Sequence, residues 1–338
     1  MVAATALALA ATAARAAADN PPLTPPAALF KIVEKSRLTY QVGRLDEGVS
    51  DEATKAVELG DRHFIVETAG SISLREYEVK PEVQRLFDEG EALFHDKAYE
   101  KAVEKWGAAL RLDGQYHFLE TMIGDGYYCL GDFPQAKQHL LQAIAANRID
   151  YQAHWFLADT YARLGEGDRV VDSLLRAHLY NRHNPRILSR LKQALAESGQ
   201  TWLEWDFVPL YQLTKTGDTI GVRAKEEWVG YALAKAVWKF EPDYPDHGPK
   251  EETLLNARQE KEAVLMYLAQ AKEEARVHGI VAAGFFNEFS LYETAIRKWP
   301  QTARLLPAED VERLVEYLKR FHVAPAPGAL LPSVPAAK

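Results

Sequence analysis

The feature that most constrains this chain is a fixed period running from Val83 to Asn184. Gly90, Gly124 and Ala158 are spaced by it, as are Tyr99, Phe133 and Gly167, and again Ala109, Ala143 and Ala177. Three units follow one another without a gap, at residues 83–116, 117–150 and 151–184. A period of ~34 residues marks a stacked repeat, in which no unit can bury its own apolar face and each must cover its neighbour. In the first unit Leu86, Gly90 and Leu93 share one helical stripe, and Tyr99, Ala102, Val103, Trp106, Ala109 and Leu110 share the next. His95-Asp96-Lys97-Ala98 separates the two stripes, so each unit is expected to be a helical hairpin.

The hairpins carry small residues at repeat positions 8, 20 and 27 and an aromatic at 24, which are Gly90, Ala102, Ala109 and Trp106 in the first unit. This pattern resembles the tetratricopeptide repeat, where small side chains let helices of one unit and the next approach closely. The second unit matches with Gly124, Tyr127, Gly131, Phe133, Ala136, Leu140 and Ala143. The third keeps Leu157, Ala158, Tyr161, Leu164, Gly165, Leu174 and Ala177. It departs at position 20, where Val170 replaces a small residue, and at 17, where Gly167 replaces an aromatic, and its hairpin is expected to be looser. The resemblance covers about a third of the chain and implies a mainly α fold: an α-α superhelix of three units.

The flanks are read from composition and turn chemistry. Residues 1–18 hold a short apolar run ending in Ala16-Ala17-Ala18, a small-residue pattern expected of a secretory signal cleaved before Asp19. On that reading the protein is secreted or periplasmic, and otherwise cytoplasmic. Residues 19–82 begin with a Pro-rich tether (NPPLTPPAA) and continue as an irregular lead-in that packs on the array, with short strands expected at 62–67 and 72–79. Pro185, Leu188, Leu191, Leu195 and Gly199 outline a capping helix over 185–199, with Arg186, Arg190, Lys192 and Glu197 expected to face solvent. Residues 200–322 read as a helical region containing one β-hairpin. Its strands flank Lys215-Thr216-Gly217-Asp218, and its helices are expected over 226–240, 250–277, 279–299 and 308–321. The last residues, 323–338, form a Pro- and Ala-rich tail expected to be disordered.

Charge and motif content limit the function classes. The net charge of −8 makes a phosphate backbone a poor partner, so nucleic acid is not expected. No other stretch reaches the ~18 apolar residues of a membrane span. With Cys129 as the single cysteine, no intramolecular disulfide or cysteine zinc site is possible, and Cys129 itself reads as a small semi-buried residue. Gly124-Asp125-Gly126 imitates a dinucleotide loop but falls inside a repeat helix, and no cofactor is expected. His154, His178 and His183 lack metal-ligand spacing. The acid and histidine cluster Asp243, Asp246, His247, Glu251 and Glu252 reads as a solvated loop. No nucleophile-elbow, Walker or zincin pattern exists, and no enzymatic activity is expected.

In tetratricopeptide arrays the first helices line the concave groove through positions 2, 5, 9, 12 and 13. Carried onto this chain, that face offers Phe87, Glu91 and Phe94, then Phe118, Asp125 and Tyr128, then Trp155 and Asp159 as partner-binding residues. Position 9 is acidic in every unit: Glu91, Asp125 and Asp159. A ladder of acids beside aromatic rings suits a protein or peptide with basic and apolar side chains. The basic and amide clamp with which some family members hold an acidic tail is missing. The resemblance therefore implies an interaction scaffold or adaptor. The alternative is an enzyme or small-ligand binder with its site in 200–322 and the repeats as its mount.

Overall fold

The computed structural model describes residues 12–14, 22–45, 59–68, 71–205, 207–244, 257–271 and 274–327. In chain order the elements begin with β1 (Thr12–Ala14), α1 (Pro26–Lys35), β2 (Thr39–Arg44), β3 (His63–Thr68) and β4 (Ser71–Glu76). The helices α2 (Pro81–His95), α3 (Tyr99–Leu112), α4 (Phe118–Leu130), α5 (Phe133–Ala146), α6 (Tyr151–Leu164), α7 (Val170–Tyr180) and α8 (Pro185–Glu197) follow. Then come β5 (Gln200–Trp202), β6 (Tyr211–Thr216), β7 (Thr219–Ala224), α9 (Val229–Phe240) and α10 (Ala257–Gln270). The chain finishes with α11 (Ala275–Ala282), α12 (Phe286–Ser290), α13 (Ala308–Phe321) and β8 (Val323–Pro325). The chain divides into a repeat body (Met1–Arg15, Glu58–Leu203, Ala303–Lys338) and a sheet body (Ala16–Val57, Glu204–Thr302).

In the repeat body, α2 with α3, α4 with α5 and α6 with α7 form three consecutive hairpins, and each packs on the next. The small residues explain the close approach. A Cβ at Gly90 would collide with the Trp106 indole, and one at Gly124 would lie 2.6 Å from Leu140 Cγ. Ala102, Ala109, Ala136, Ala143 and Ala177 are fully buried at the crossings. The turn inside each hairpin passes through a left-handed residue at repeat position 15: Lys97 (φ 61°), Gly131 (φ 81°) and Gly165 (φ 75°). Only the first unit places a side chain there, where an L-residue is strained. The third hairpin differs, since a 3-10 turn, Gly167–Arg169, delays the start of its second helix to Val170. Glycine at position 17 lacks the side chain that would anchor a helix start, and it disfavours helix.

The joints between units repeat as well. Asp113, Asn147 and Asn181 end the second helices in extended backbone, with φ of −148°, −144° and −147°. The β3–β4 hairpin lies along these joints. Asn147 Nδ2 donates to the His63 carbonyl at 2.9 Å, and Tyr77 stacks on Tyr116 with ring centroids 4.9 Å apart. Arg304, fully buried, donates to the carbonyls of Tyr180 and Gly60, each at 3.1 Å. Asn184 caps α8 by accepting from Arg186 N at 3.0 Å, Pro185 opens the helix, and Gly199 (φ 71°) follows it. Helix α13 buries Val311, Leu314, Val315 and Leu318 and packs against α7, to which Arg176 adds a two-pronged bond with Glu312 at 2.6 and 2.7 Å.

The sheet body has three strands in the order β2-β7-β6, with β6 and β7 an antiparallel hairpin turning at Gly217 (φ 59°) and β2 parallel to β7. Helix α9 packs on this sheet and on α10. Its interior is strongly polar in places. Lys235 Nζ lies 2.6 Å from Glu260 Oε1, Tyr231 donates its hydroxyl to the same carboxylate, and all three are buried. Glu262 accepts from Trp238 Nε1 at 2.8 Å and from Arg258 Nε at 3.0 Å, so its burial is balanced by donors. Rings of Phe207, Trp228, Tyr267 and Phe289 fill the apolar part of the core.

Several expectations need correction. The single helix expected over 250–277 is not continuous: α10 and α11 are separate helices, and residues 250–256 lie outside those described. The helix expected over 279–299 breaks at left-handed Gly284 (φ 82°), where Phe285 N reaches back to the Ile280 carbonyl at 3.2 Å. This backward bond ends a helix after glycine. Beyond the break the chain resumes as α12 and a π-helical stretch, Leu291–Ile296. The expected hairpin is β6 and β7, and a separate strand, β5, precedes it across irregular backbone. Residues 323–325, expected in the disordered tail, form strand β8 on β5. Pro26 starts α1 inside the expected tether. Most of the expected leader, including its cleavage point after Ala18, lies outside the described residues, as do Asp246, His247, Glu251, Glu252 and the end of the tail.

Candidate partner-docking surface

The first helices of the units, α2, α4 and α6, stand side by side, and repeat position 9 of each projects into one row. The carboxylates of Glu91, Asp125 and Asp159 are close enough to act on one another. Burial pushes the Asp125 carboxyl up to about 6, reinforced by the negative charges of Glu91 and Asp159 on either side. Glu91 is raised as well, by burial first, while His95 opposes the shift and Asp61 and Asp88 add to it. The far end of the row carries a cation. Arg190 Nε from α8 pairs with Asp159 Oδ1 at 2.7 Å. Arg190 was expected in solvent, and it is instead half-buried against the array. The Arg190 side chain reaches Asp159 because α8 occupies the place of a fourth first helix.

Two acceptor oxygens on this face, Glu91 Oε1 and Gln152 Oε1, are buried with no hydrogen-bond partner among the described residues. A buried acceptor left unpaired costs roughly 1–3 kcal/mol. Glu91 Oε1 and Gln152 Oε1 therefore have unmet demand for donors. Among the described residues, the row of three carboxylates holds one ion pair, that of Asp159 with Arg190.

The aromatic residues divide into two sets. Phe118 is buried at 6% exposure in the core cluster with Tyr116, Leu119 and Trp106, so its ring offers no surface to a partner. Phe87 is half-buried and lies between Tyr116 and Phe118, and Phe94 packs on Tyr99 and Trp106. Both serve the first hairpin's packing. Tyr128 packs edge-on against Phe133 with centroids 5.5 Å apart. Trp155 is half-buried beside Phe156. The contribution of Tyr77 to this packing was not visible in sequence, because the lead-in carries no repeat register.

The remaining candidates take other places. Cys129 is exposed rather than semi-buried as expected, and partial desolvation of its thiol, helped by the nearby Asp125 charge, pushes it up to about 11, away from thiolate chemistry. His154 is buried, its Nε2 3.0 Å from the Arg148 carbonyl, and burial lowers it to about 4. His178 is buried too and lowered to about 3. Among the described residues no group of His, Cys, Asp and Glu is arranged to hold a metal ion, and no helix is long and apolar enough to cross a membrane. Gly124 and Gly126 lie inside α4 against Leu140 and Val103, which is a packing role. Within the sheet body an open cavity of about 1110 Å³ lies at the carboxyl ends of the parallel strands β2 and β7, lined by Val42, Arg44, Leu210, Lys225, Glu226 and Val229 among others.

Three helical hairpins at one fixed spacing, with small residues where their helices cross, define the repeat. Residues 83–184 form a tetratricopeptide array. Solved structures with similarity to this chain include the first such domain of human RPAP3, at 21% identity and TM-score 0.33, covering 34% of this chain and 94% of that one. The corresponding domain of Arabidopsis OM64 matches at 17% identity and TM-score 0.33, over 34% of this chain and 96% of its own. The Yersinia enterocolitica type III secretion translocator chaperone SycD matches at 15% identity and TM-score 0.33, over 35% of this chain and 96% of its own. At these identities the similarity is one of fold. No protein-family model and no curated protein matches the chain.

Proposed function

We propose that this protein is an interaction scaffold that docks a partner segment carrying basic and apolar side chains on the acidic face of its array. The observation that carries the reading is the row Glu91, Asp125 and Asp159, in which one cation, Arg190, pairs with Asp159 at the far end while the charge of Glu91 bears on Asp125. An incoming ammonium or guanidinium between Glu91 and Asp125 would relieve their mutual repulsion and supply the donor that Glu91 Oε1 lacks. Tyr128 and Trp155, with the accessible parts of Phe87 and Phe94, supply apolar contact beside the row. Phe118 is left out because it is buried. The leader pattern of residues 1–18 puts this docking outside the cytoplasm in our reading.

The test is recovery of partners from the cell envelope by the mature protein, beside the variant Glu91→Lys, Asp125→Lys, Asp159→Lys. Loss of specific bands in the variant, with the wild-type circular dichroism retained, supports the acidic face. Equal recovery of every partner by both proteins would sink it. Sequencing the amino terminus of the exported protein decides the leader, and a chain starting at Met1 in the envelope contradicts it. A second reading rests on the open cavity at the carboxyl ends of β2 and β7, the place where parallel strands present loops to small ligands. Retention of a small molecule by the protein purified under native conditions, detected by mass spectrometry and lost in Arg44→Ala, would favour that reading.

A further inference from the structure

The third repeat departs from the first two at a pair of positions that face each other. In the first unit the position-12 ring of Phe94 meets the position-17 ring of Tyr99 edge-on, with centroids 5.2 Å apart. In the second, Tyr128 meets Phe133 in the same way at 5.5 Å. Two aromatic rings thus plug the inside of each hairpin turn. In the third unit the same positions hold Ala162 and Gly167, and both rings are missing. The space is open: a Cβ built on Gly167 meets nothing within 4 Å. An open cavity of about 630 Å³ lies there, lined by Ala162, Gly167, Val170, Val171, Ala194 and Val323 together with polar residues. Its volume falls in the range of natural ligand sites, ~300–1,000 Å³.

We infer that this cavity is a docking site for an aromatic side chain flanked by a basic one, presented by a segment of a partner protein. The two other hairpins show which chemistry fits, because each fills the equivalent space with aromatic rings. The charge comes from the rim. Asp168, Asp172 and Glu197 line the cavity with a single ammonium, Lys319, which Asp172 already holds at 2.5 Å. Asp168 is exposed and makes no ion pair among the described residues. The repeat register sharpens the place of Glu197. In the second unit Arg163, at position 13 of the next first helix, lies over the Phe133 ring at 4.5 Å. Glu197 stands at position 13 of α8, so a carboxylate replaces the guanidinium beside the missing ring; it lies 3.8 Å from Arg190 Nη1 and accepts from Gln193 Nε2 at 2.8 Å, which leaves Asp168 as the unpaired rim acid among the described residues. A ring entering there brings its own cation to a carboxylate. Neutral neighbours of the ring would forgo the attraction of Asp168, and acidic ones would be repelled by it.

The cavity shares no lining residue with the acid row, and Arg190, between Asp159 and Glu197, is the link between them, so its test leaves Asp159 unchanged. The full-length protein is titrated with three capped dipeptides, acetyl-Tyr-Lys-amide, acetyl-Tyr-Glu-amide and acetyl-Ala-Lys-amide, while methyl resonances of Val170, Val171 and Val323 are followed by NMR. The Tyr-Lys probe is expected to shift these methyls, with the other two roughly two- to tenfold weaker, the scale of an exposed charge pair or a lost ring contact. The double variant Ala162→Phe, Gly167→Tyr rebuilds the ring pair from inside, and it is expected to abolish the shifts and raise Tm. Should that variant fail to fold, Asp168→Lys, altered at an exposed position, is expected to weaken the Tyr-Lys probe roughly three- to tenfold and to erase its advantage over Tyr-Glu. Equal affinities for all three probes, shifts confined to other methyls, or undiminished binding by the folded double variant would overturn the inference. Glu91→Lys and Asp125→Lys, which leave the Arg190–Asp159 pair intact, leave this site's shifts unchanged, so a failure here is distinguishable from a failure of the acidic face.

Discussion

Asp125 offers a quantitative check on the acid row through stability. Its carboxyl is raised from an ordinary aspartate value of 3.8 to about 6 by burial and by the charges of Glu91 and Asp159. A carboxyl whose folded value exceeds its unfolded one binds its proton more tightly when folded. Its contribution to stability is full below the unfolded value and is lost as pH rises through the folded one. Between about pH 4 and pH 6 stability therefore falls with rising pH on account of this group, and above that window the charged carboxylate weighs on the fold. A tenfold change in proton affinity corresponds to ~1.4 kcal/mol, so the ceiling is roughly 3 kcal/mol. The residue is half-buried, and screening brings the expected effect to roughly 1–2 kcal/mol. Asp125→Asn should then stabilise the array by that amount at pH 7.5 and by almost nothing at pH 4. Hydrogen exchange at the buried amides of α4 and α6 reads this locally, without assuming that both bodies unfold together. An Asp125→Asn effect that is the same at both pH values, or a loss of stability at pH 7.5, would refute the reasoning. A charge kept at such a cost is the usual signature of a functional group.

Other perturbations follow from particular residues. Lys97 holds a left-handed conformation that glycine holds in the next two units, so Lys97→Gly should stabilise the first hairpin by roughly 0.5–1 kcal/mol in thermal unfolding. Removing the cation from the buried Lys235–Glu260 pair by Lys235→Met should cost ~3–5 kcal/mol, most of it recovered by adding Glu260→Gln; a chemical denaturation series checks both. His154 and His178 fold with values lowered by burial to about 4 and about 3. Their contribution is full above an unfolded value of ~6.5 and is lost as pH falls toward the folded ones, so acid unfolding of the repeat body should become shallower in His154→Gln. A pH titration of circular dichroism shows the change in slope.

The array was legible because its signal is periodic. Glycines and alanines at one constant spacing mark the helix crossings directly, and Asn184 with Pro185 marks the next helix start. The acid row could be written down from repeat positions, since side chains at position 9 of adjacent units must neighbour one another. What could not be read is what depends on distant chain segments. The parallel pairing of Thr39–Arg44 with Thr219–Ala224 joins strands on opposite sides of the whole array in sequence and leaves no local trace. The Arg190–Asp159 pair needs α8 to occupy a fourth repeat position while its sequence suggests a solvent face. Phe118 sits at a groove position in the register but turns into the core, because Tyr116 at the end of the first unit and Tyr77 from outside the register complete its surroundings. Gly167 stands out as a missing aromatic, whereas Ala162 acquires meaning only when the rings of positions 12 and 17 are seen to touch.

The most direct measurement for the acidic face uses a defined probe. A capped helical peptide alternating lysine and leucine, and its glutamate counterpart, are titrated into the full-length protein at several salt concentrations, with amide shifts followed along α2, α4 and α6. The lysine peptide is expected to bind and shift residues around Glu91, Asp125 and Trp155. Its affinity should fall with salt and drop about tenfold or more in Glu91→Gln, Asp125→Asn. Equal binding of the two peptides, or lysine-peptide binding untouched by that double substitution, would contradict the central claim.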